Sequence, residues 1–131
     1  MKDAVNWVGV CQEEDIIPDT GICVYFNDEQ VAIFKESINN ELFAISNFDP
    51  NSSANVLSRG IVGSIGERLV VASPIYKQHF CLKTGECLET GTVIKTYAIR
   101  VHQGEVQLSA WINDFFLFSK PLGRPEFVKW R

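Results

Sequence analysis

The chain has 131 residues, of which 46% are hydrophobic and 21% charged, the balance of one globular domain long enough to bury a core. Its formal charge of −4 argues against nucleic-acid binding driven by electrostatics. No apolar run approaches the ~18 residues of a membrane-spanning helix, so no membrane partner is expected.

In chain order, Val5-Asn6-Trp7-Val8-Gly9-Val10 alternates and predicts a first strand. Met1 to Trp7 has no hydrophobic signal core, which implies a cytoplasmic location. Gln12 to Ile16 is acidic and forms one turn at most, and Pro18-Asp19-Thr20-Gly21 is a turn by composition. Ile22 to Phe26 and Gln30 to Phe34 flank Asn27-Asp28-Glu29 and predict a hairpin. Asn39-Asn40 turns again, and Leu42 to Ser46 is the next strand. Pro50-Asn51-Ser52-Ser53-Ala54 reads as a loop. Gly60, Gly63 and Gly66 punctuate the path back to the sheet.

Glu67 to Ala72 is a short β-branched run. It opens into Ser73-Pro74-Ile75-Tyr76-Lys77-Gln78-His79-Phe80, a loop that closes into a hairpin at Lys83-Thr84-Gly85-Glu86. Gly91-Thr92-Val93 leads into a strand over Lys95 to Val101. Gln103-Gly104 turns, and Glu105 to Ser109 returns with clean alternation. Almost no helical period is present, so the fold class is all-β. No dinucleotide fingerprint, phosphate loop or nucleophile elbow occurs.

Trp111 to Phe118 is densely aromatic, and Pro121-Leu122-Gly123-Arg124-Pro125 breaks it before Phe127-Val128-Lys129-Trp130-Arg131. The expected division is therefore a domain over 1–110 and an aromatic C-terminal tail over 111–131. The tail either packs on its own domain or docks on a partner. Cys11, Cys23, Cys81 and Cys87 have no paired spacing and are expected reduced and buried. Cys81 and Cys87 would face each other if the hairpin loop had three residues. With only His79 and His102 as histidines, no metal site is expected.

Two loops carry a resemblance. Ser73-Pro74-x-Tyr76-Lys77, the aromatic Phe80 and the Thr84-Gly85 hairpin resemble the second cluster-binding loop of Rieske iron–sulfur domains, whose pattern is Cys-Pro-x-His-Gly. Asn47-Phe48-Asp49 stands where the first loop, Cys-x-His, is expected. Asn47, Asp49, Ser73 and Tyr76 thus occupy the four ligand positions. A Rieske centre needs two thiolates and two imidazoles, and oxygen donors do not assemble one. The site is therefore degenerate and the chain is expected to hold no cofactor.

Asn-x-Asp-Pro at 47–50, Ala54-Asn55-Val56-Leu57-Ser58-Arg59-Gly60, Gly63 and Ser73-Pro74-Ile75-Tyr76-Lys77-Gln78 are similar to one branch of these domains, the small subunits of cytoplasmic NAD(P)H-dependent nitrite reductase. The likeness spans roughly residues 4 to 110. It implies a Rieske-like β-sandwich with an inserted two-loop subdomain. It also implies an oxidoreductase subunit, not catalytic by itself, serving nitrate and nitrite assimilation. Its partner is a large subunit carrying FAD, siroheme and an iron–sulfur cluster, which reduces nitrite to ammonia. The alternatives are a Rieske-type ferredoxin carrying electrons to an oxygenase, disfavoured by the missing ligands, and a free-standing Rieske-like interaction domain.

Among the loop residues, Arg59, Lys77, Gln78 and His79 are the candidate partner contacts, because loops on a rigid scaffold often carry function. Arg59 is a possible partner for Asp49. No carboxylate beside His79 is visible in the sequence. No residue is assigned a catalytic role, and His102 is expected to be an ordinary turn residue.

Overall fold

The computed structural model describes residues 6–109. The aromatic tail lies outside these residues. So does the start of the expected first strand, whose described part runs later than the alternation suggests, as β1, Val8–Gln12.

The fold is organised by one strand with no exposed face. Glu29–Lys35 (β3) pairs with Gly21–Phe26 (β2) on one side and Leu42–Ser46 (β4) on the other. Successive side chains of a strand point to opposite faces. Val31 and Ile33 enter one core with Ile16, Phe26, Ala44, Tyr97, Val106 and Leu108. Ala32 and Phe34 enter a second core with Phe43, Ile45, Leu57, Val71, Phe80 and Leu82. The near-continuous apolar run Val31-Ala32-Ile33-Phe34 is what burial on both faces requires.

The first core is the interior of a sandwich. Its second sheet has the order β1-β11-β10, with β10 at Ala98–His102 and β11 at Glu105–Ser109. Both hairpins turn in two residues in the left-handed region: Asn27 and Asp28 (φ 54° and 65°), and Gln103 and Gly104 (φ 53° and 82°). Two successive positive-φ residues match the right-handed twist of the flanking strands. The first turn is thus shorter than expected, and Glu29 already belongs to β3.

The second core is roofed by an insertion that leaves at Asn47 and returns at Lys95. Its two ends are tied together where Ser46 N donates to Lys95 O at 2.8 Å and Ile45 bridges Thr96. Three elements here differ from expectation. Residues 50–54 are flanked by a short hairpin, β5 (Phe48–Asp49) with β6 (Ala54–Asn55). The stretch punctuated by glycines is a strand, β7 (Ile61–Ile65), paired along its full length with β8 (Arg68–Ala72). Gly63 sits mid-strand rather than breaking it, because β7 is a sheet edge where a missing side chain costs little packing. The strand expected over 95–101 begins only at Ala98, since Lys95 to Tyr97 is committed to closing the insertion against β4.

The third strand of the small sheet is β9, His79–Cys81. Beyond it Cys81 N donates to Glu86 O and Gly85 N to Cys81 O. Gly85 has φ 81°, and a Cβ there would lie 2.3 Å from Ile94 O, so only glycine fits. Cys87 bridges Phe80 rather than Cys81, which puts the two cysteines on opposite faces of the hairpin. All four cysteines are free. Cys81 and Cys87 are buried as expected, whereas Cys11 is half-buried and Cys23 exposed.

Candidate functional site

The two loops meet through side chains. Ser73 Oγ donates to Asp49 Oδ2 at 2.6 Å, and both residues are buried. Ser52 Oγ donates to the same oxygen at 3.0 Å, and Asn51 N donates to Oδ1 at 2.9 Å. A buried carboxylate is tolerated only when its oxygens find donors, and short O–H···O⁻ bonds are the strong kind. Within loop two, Ser73 N donates to Gln78 O and Lys77 N to Ser73 O, both at 2.9 Å. Lys77 has φ 61° at the position where the Cys-Pro-x-His-Gly pattern has glycine. The loop keeps the backbone shape that the glycine would serve.

Asn47 is a second staple. Its Nδ2 donates to Gln30 Oε1 at 2.9 Å and its Oδ1 accepts from Ser58 N at 2.6 Å. Its main chain adds bonds to Gln30 O and from Leu57 N. One buried residue thus ties β3 to the 3₁₀ turn Leu57–Arg59. Tyr76 behaves differently: its side chain is 63% exposed and makes no hydrogen bond among the described residues. The Tyr76 hydroxyl therefore does not fill in for the lost cluster. Asn47, Asp49 and Ser73 do that work without it.

These residues do not fit a Rieske cluster. The four positions offer an amide, a carboxylate, a hydroxyl and a phenol, with no thiolate or imidazole among them. The Asp49 and Ser73 oxygens are spent on each other, and the Asn47 amide is spent on Gln30 and Ser58. Among the described residues no group of three or more His, Cys, Asp and Glu could hold a metal ion. No electron-transfer step is therefore assigned to these loops.

The candidate contacts separate in space. Lys77 is exposed on loop two. Gln78 is half-buried, and its Oε1 is enclosed without a partner among the described residues. His79 does have a carboxylate beside it, contrary to expectation. Glu89 Oε2 lies 2.7 Å from His79 Nδ1, and Glu89 Oε1 accepts from His79 N at 2.8 Å. Those bonds, the backbone one foremost, hold the Glu89 carboxyl below the usual range. The pair forms because Leu88 N donates to His79 O, a register that ten residues of sequence separation conceal. Arg59 is exposed at the corner before β7 and does not reach Asp49, whose oxygens are taken by Asn51, Ser52 and Ser73. His102 is the last residue of β10, paired with Glu105, and so flanks the Gln103-Gly104 turn rather than forming it as expected.

One further polar group lies behind the loops. Arg68 Nη2 donates to Glu86 Oε1 at 2.9 Å and to Thr84 Oγ1 at 3.2 Å. Burial raises the Cys81 thiol, but hydrogen bonds from Thr84, Arg68 and the Lys83 backbone outweigh it and bring it below its ordinary value.

Residues 6–109 match the Rieske-like [2Fe-2S] domain family. The chain is 46% identical over 104 residues to the nitrite reductase (NADH) small subunit of Escherichia coli K12, covering 79% of this chain and 96% of that one. The solution structure of the E. coli protein NirD superposes with a TM-score of 0.76 at 44% identity, covering 82% of this chain and 98% of that one. A stretch of the nitrite reductase [NAD(P)H] large subunit of Klebsiella oxytoca is 30% identical over 115 residues, 87% of this chain and 11% of that protein.

Proposed function

We propose a function for this chain from its membership: it belongs to the Rieske-like [2Fe-2S] domain family and, within it, to the nitrite reductase small subunits. The chain is the small subunit of an NAD(P)H nitrite reductase and works bound to the large subunit. The observation that carries this is the Klebsiella match. A large subunit that contains a segment like this chain holds the two units in one polypeptide, and units fused in one protein are partners where they are separate. The nicotinamide oxidation and nitrite reduction take place on the FAD, siroheme and iron–sulfur cluster of the large subunit, in the cytoplasm. This chain supplies binding and positioning, since hard redox chemistry needs a cofactor and its loops are closed by Asn47, Asp49 and Ser73.

The docking face in this reading is the tip of the two loops. Phe48, Ile75 and Tyr76 are exposed apolar groups adjoining the residues that join the loops, and Lys77 lies beside them. Exposed aromatic and aliphatic anchors with a charged neighbour are the usual composition of a contact. Gln78 and His79 sit behind this rim and hold the loop's shape. A ferredoxin role for an oxygenase is disfavoured by the same donor set.

The test is NADH-driven nitrite reduction by the purified large subunit, with and without this chain. Added chain is expected to raise the rate or the lifetime of activity and to co-elute with the large subunit. Tyr76→Ala and Lys77→Glu are expected to weaken co-elution at least tenfold while leaving the chain folded. No effect of the chain and no co-elution would refute the subunit reading. Unchanged binding by both variants would refute the loop tip alone. Anaerobically purified chain showing a 2Fe–2S spectrum with stoichiometric iron would refute the non-redox role.

A further inference from the structure

A cleft of about 210 Å³ opens between β4 and β10, the edge strands of the two sheets of the sandwich. The two strands are tied at one end, where Ser46 N donates to Lys95 O and Tyr97 N to Ala44 O. Beyond Ala44 they part: Leu42 and Phe43 pair with β3, and Ala98 and Ile99 with β11. Leu82 and Lys83 of the neighbouring hairpin line the gap between them. The cleft is smaller than the ~300–1,000 Å³ that takes a small molecule or cofactor, and mostly apolar residues line it. It suits one large apolar side chain.

The last described strand ends at this cleft. Ser109 closes β11 and pairs with Ala98. Val106 and Leu108 face the first core, so Ser109 faces the other way, yet it is only 4% exposed. Ala98 shares that outward face, because Tyr97 and Ile99 on either side of it turn to the first core. Thr96, two residues before Ala98, is on the same face, lines the cleft and is also buried. Outward polar residues at the end of a sheet are shut off from water only where something lies across them. Lys95 O and Tyr97 N are spent on β4, and successive residues turn their main-chain groups to opposite edges of a strand. The main chain of Thr96 therefore faces the line of β11.

We propose that β11 continues past Ser109 in the register it already holds and that Trp111 fills this cleft, so that the aromatic C-terminal segment is bound to its own domain. The residues that follow are Ala110-Trp111-Ile112. In that register Ala110 stands across from Tyr97 and Trp111 across from Thr96, which returns Trp111 to the outward face of Ser109 and Ala98. An indole is a large apolar anchor with one polar atom at its rim, the kind of group the cleft lacks. The Escherichia coli relative is matched over 96% of its length but 79% of this chain, so it has no segment of this length. A contact common to both proteins is made without the tail, and the tail serves the domain that carries it.

Nuclear Overhauser spectra of the full 131-residue chain test this directly. The Trp111 indole protons are expected to show cross-peaks to the methyl groups of Ala98 and Thr96. The chain has three tryptophans, and the W7F/W130F variant leaves Trp111 as the fluorophore. Acrylamide is expected to quench it severalfold more weakly than free tryptophan. Ala98→Glu places an unpaired charge under the ring and is expected to release it, raising the quenching to that of free tryptophan. Ala98 is half-buried, so the fold is expected to survive, and circular dichroism checks that it does. If the variant does not fold, the cross-peaks of the unaltered chain decide. A fully quenched Trp111 with no cross-peak to either methyl group would overturn the proposal. Shielding that persists in a folded Ala98→Glu chain would put the ring elsewhere and refute the cleft as its site. If Trp111 is shielded only after the large subunit is added, the tail docks on the partner and the proposal is refuted.

Discussion

The Ser73 hydroxyl lies 2.6 Å from the Asp49 carboxylate, and this bond joins the two loops directly. The residues that stand at one ligand position of each loop bind one another. Removing the donor leaves a buried carboxylate with one partner fewer. Ser73→Ala is expected to cost about 1–3 kcal/mol. Asp49→Ala strands three donors at once, from Asn51, Ser52 and Ser73, and is expected to cost more. A double-mutant cycle by urea unfolding measures the coupling, expected at about 0.5–3 kcal/mol. Additive effects of the two substitutions would contradict a direct link.

Asn47 makes the corresponding prediction on the other side of the site. Its amide satisfies Gln30 and the Ser58 backbone from a buried position. Asn47→Ala is expected to cost about 2–4 kcal/mol, from the lost bonds and the unsatisfied groups left behind. Asn47→Asp keeps the acceptor for Ser58 but places a carboxylate oxygen against Gln30 Oε1, and is expected to destabilise as well. Thermal unfolding of both variants checks this. An Asn47→Ala protein as stable as the parent would mean that the staple is dispensable.

Gly85 and Gly91 separate backbone conformation from crowding. Both have positive φ, 81° and 79°. A Cβ at Gly91 meets nothing within 4 Å, whereas one at Gly85 would sit 2.3 Å from Ile94 O. Gly91→Ala is expected to cost about 1–2 kcal/mol for the left-handed conformation alone. Gly85→Ala is expected to cost clearly more, because the backbone of Ile94 must also move. Equal losses in chemical denaturation would contradict the close approach.

Glu36 governs part of the response to acid. Its carboxylate is buried and accepts from the main-chain N–H of Glu41, Asn39 and Ile38, and those bonds, the one from Glu41 first, hold it below the ordinary carboxylate range. A carboxyl depressed in the folded state stabilises fully above its unfolded pKa of ~4.3 and stops doing so as the pH falls through the folded value. Glu89 acts with the same sign through His79. At Glu29 burial pushes upward, but hydrogen bonds from Lys95 and Tyr97 prevail and the sign is again the same. The melting temperature is expected to hold from pH 7 to about 5 and to fall below ~4.3. Glu36→Gln is expected to melt lower at pH 7 and to fall less steeply in acid. An unchanged acid slope would remove Glu36 from this role.

Much of the fold was legible because local pattern and tertiary burial agree. Leu42 to Ser46 and Glu105 to Ser109 are strands with the bounds expected of them, each entered from a turn that its own residues specify. The loop strings around Asn47 and Ser73 likewise identified the Rieske-like frame and the missing thiolates and imidazoles, since ligand chemistry is a property of residue type. What residue type leaves open is pairing. Gly60, Gly63 and Gly66 look like interruptions until Ile61 to Ile65 is placed at a sheet edge. Glu89 is unremarkable until the hairpin register sets it against His79, and Asp49 until the insertion folds Ser73 onto it. Tyr76 and Ser73 are both polar residues at ligand positions, yet one is buried and bonded and the other stands in solvent. Side chain chemistry determined what this site cannot bind. The closure of the insertion between Asn47 and Lys95 decided which polar groups satisfy one another, because an unpaired group there would be shut away from water.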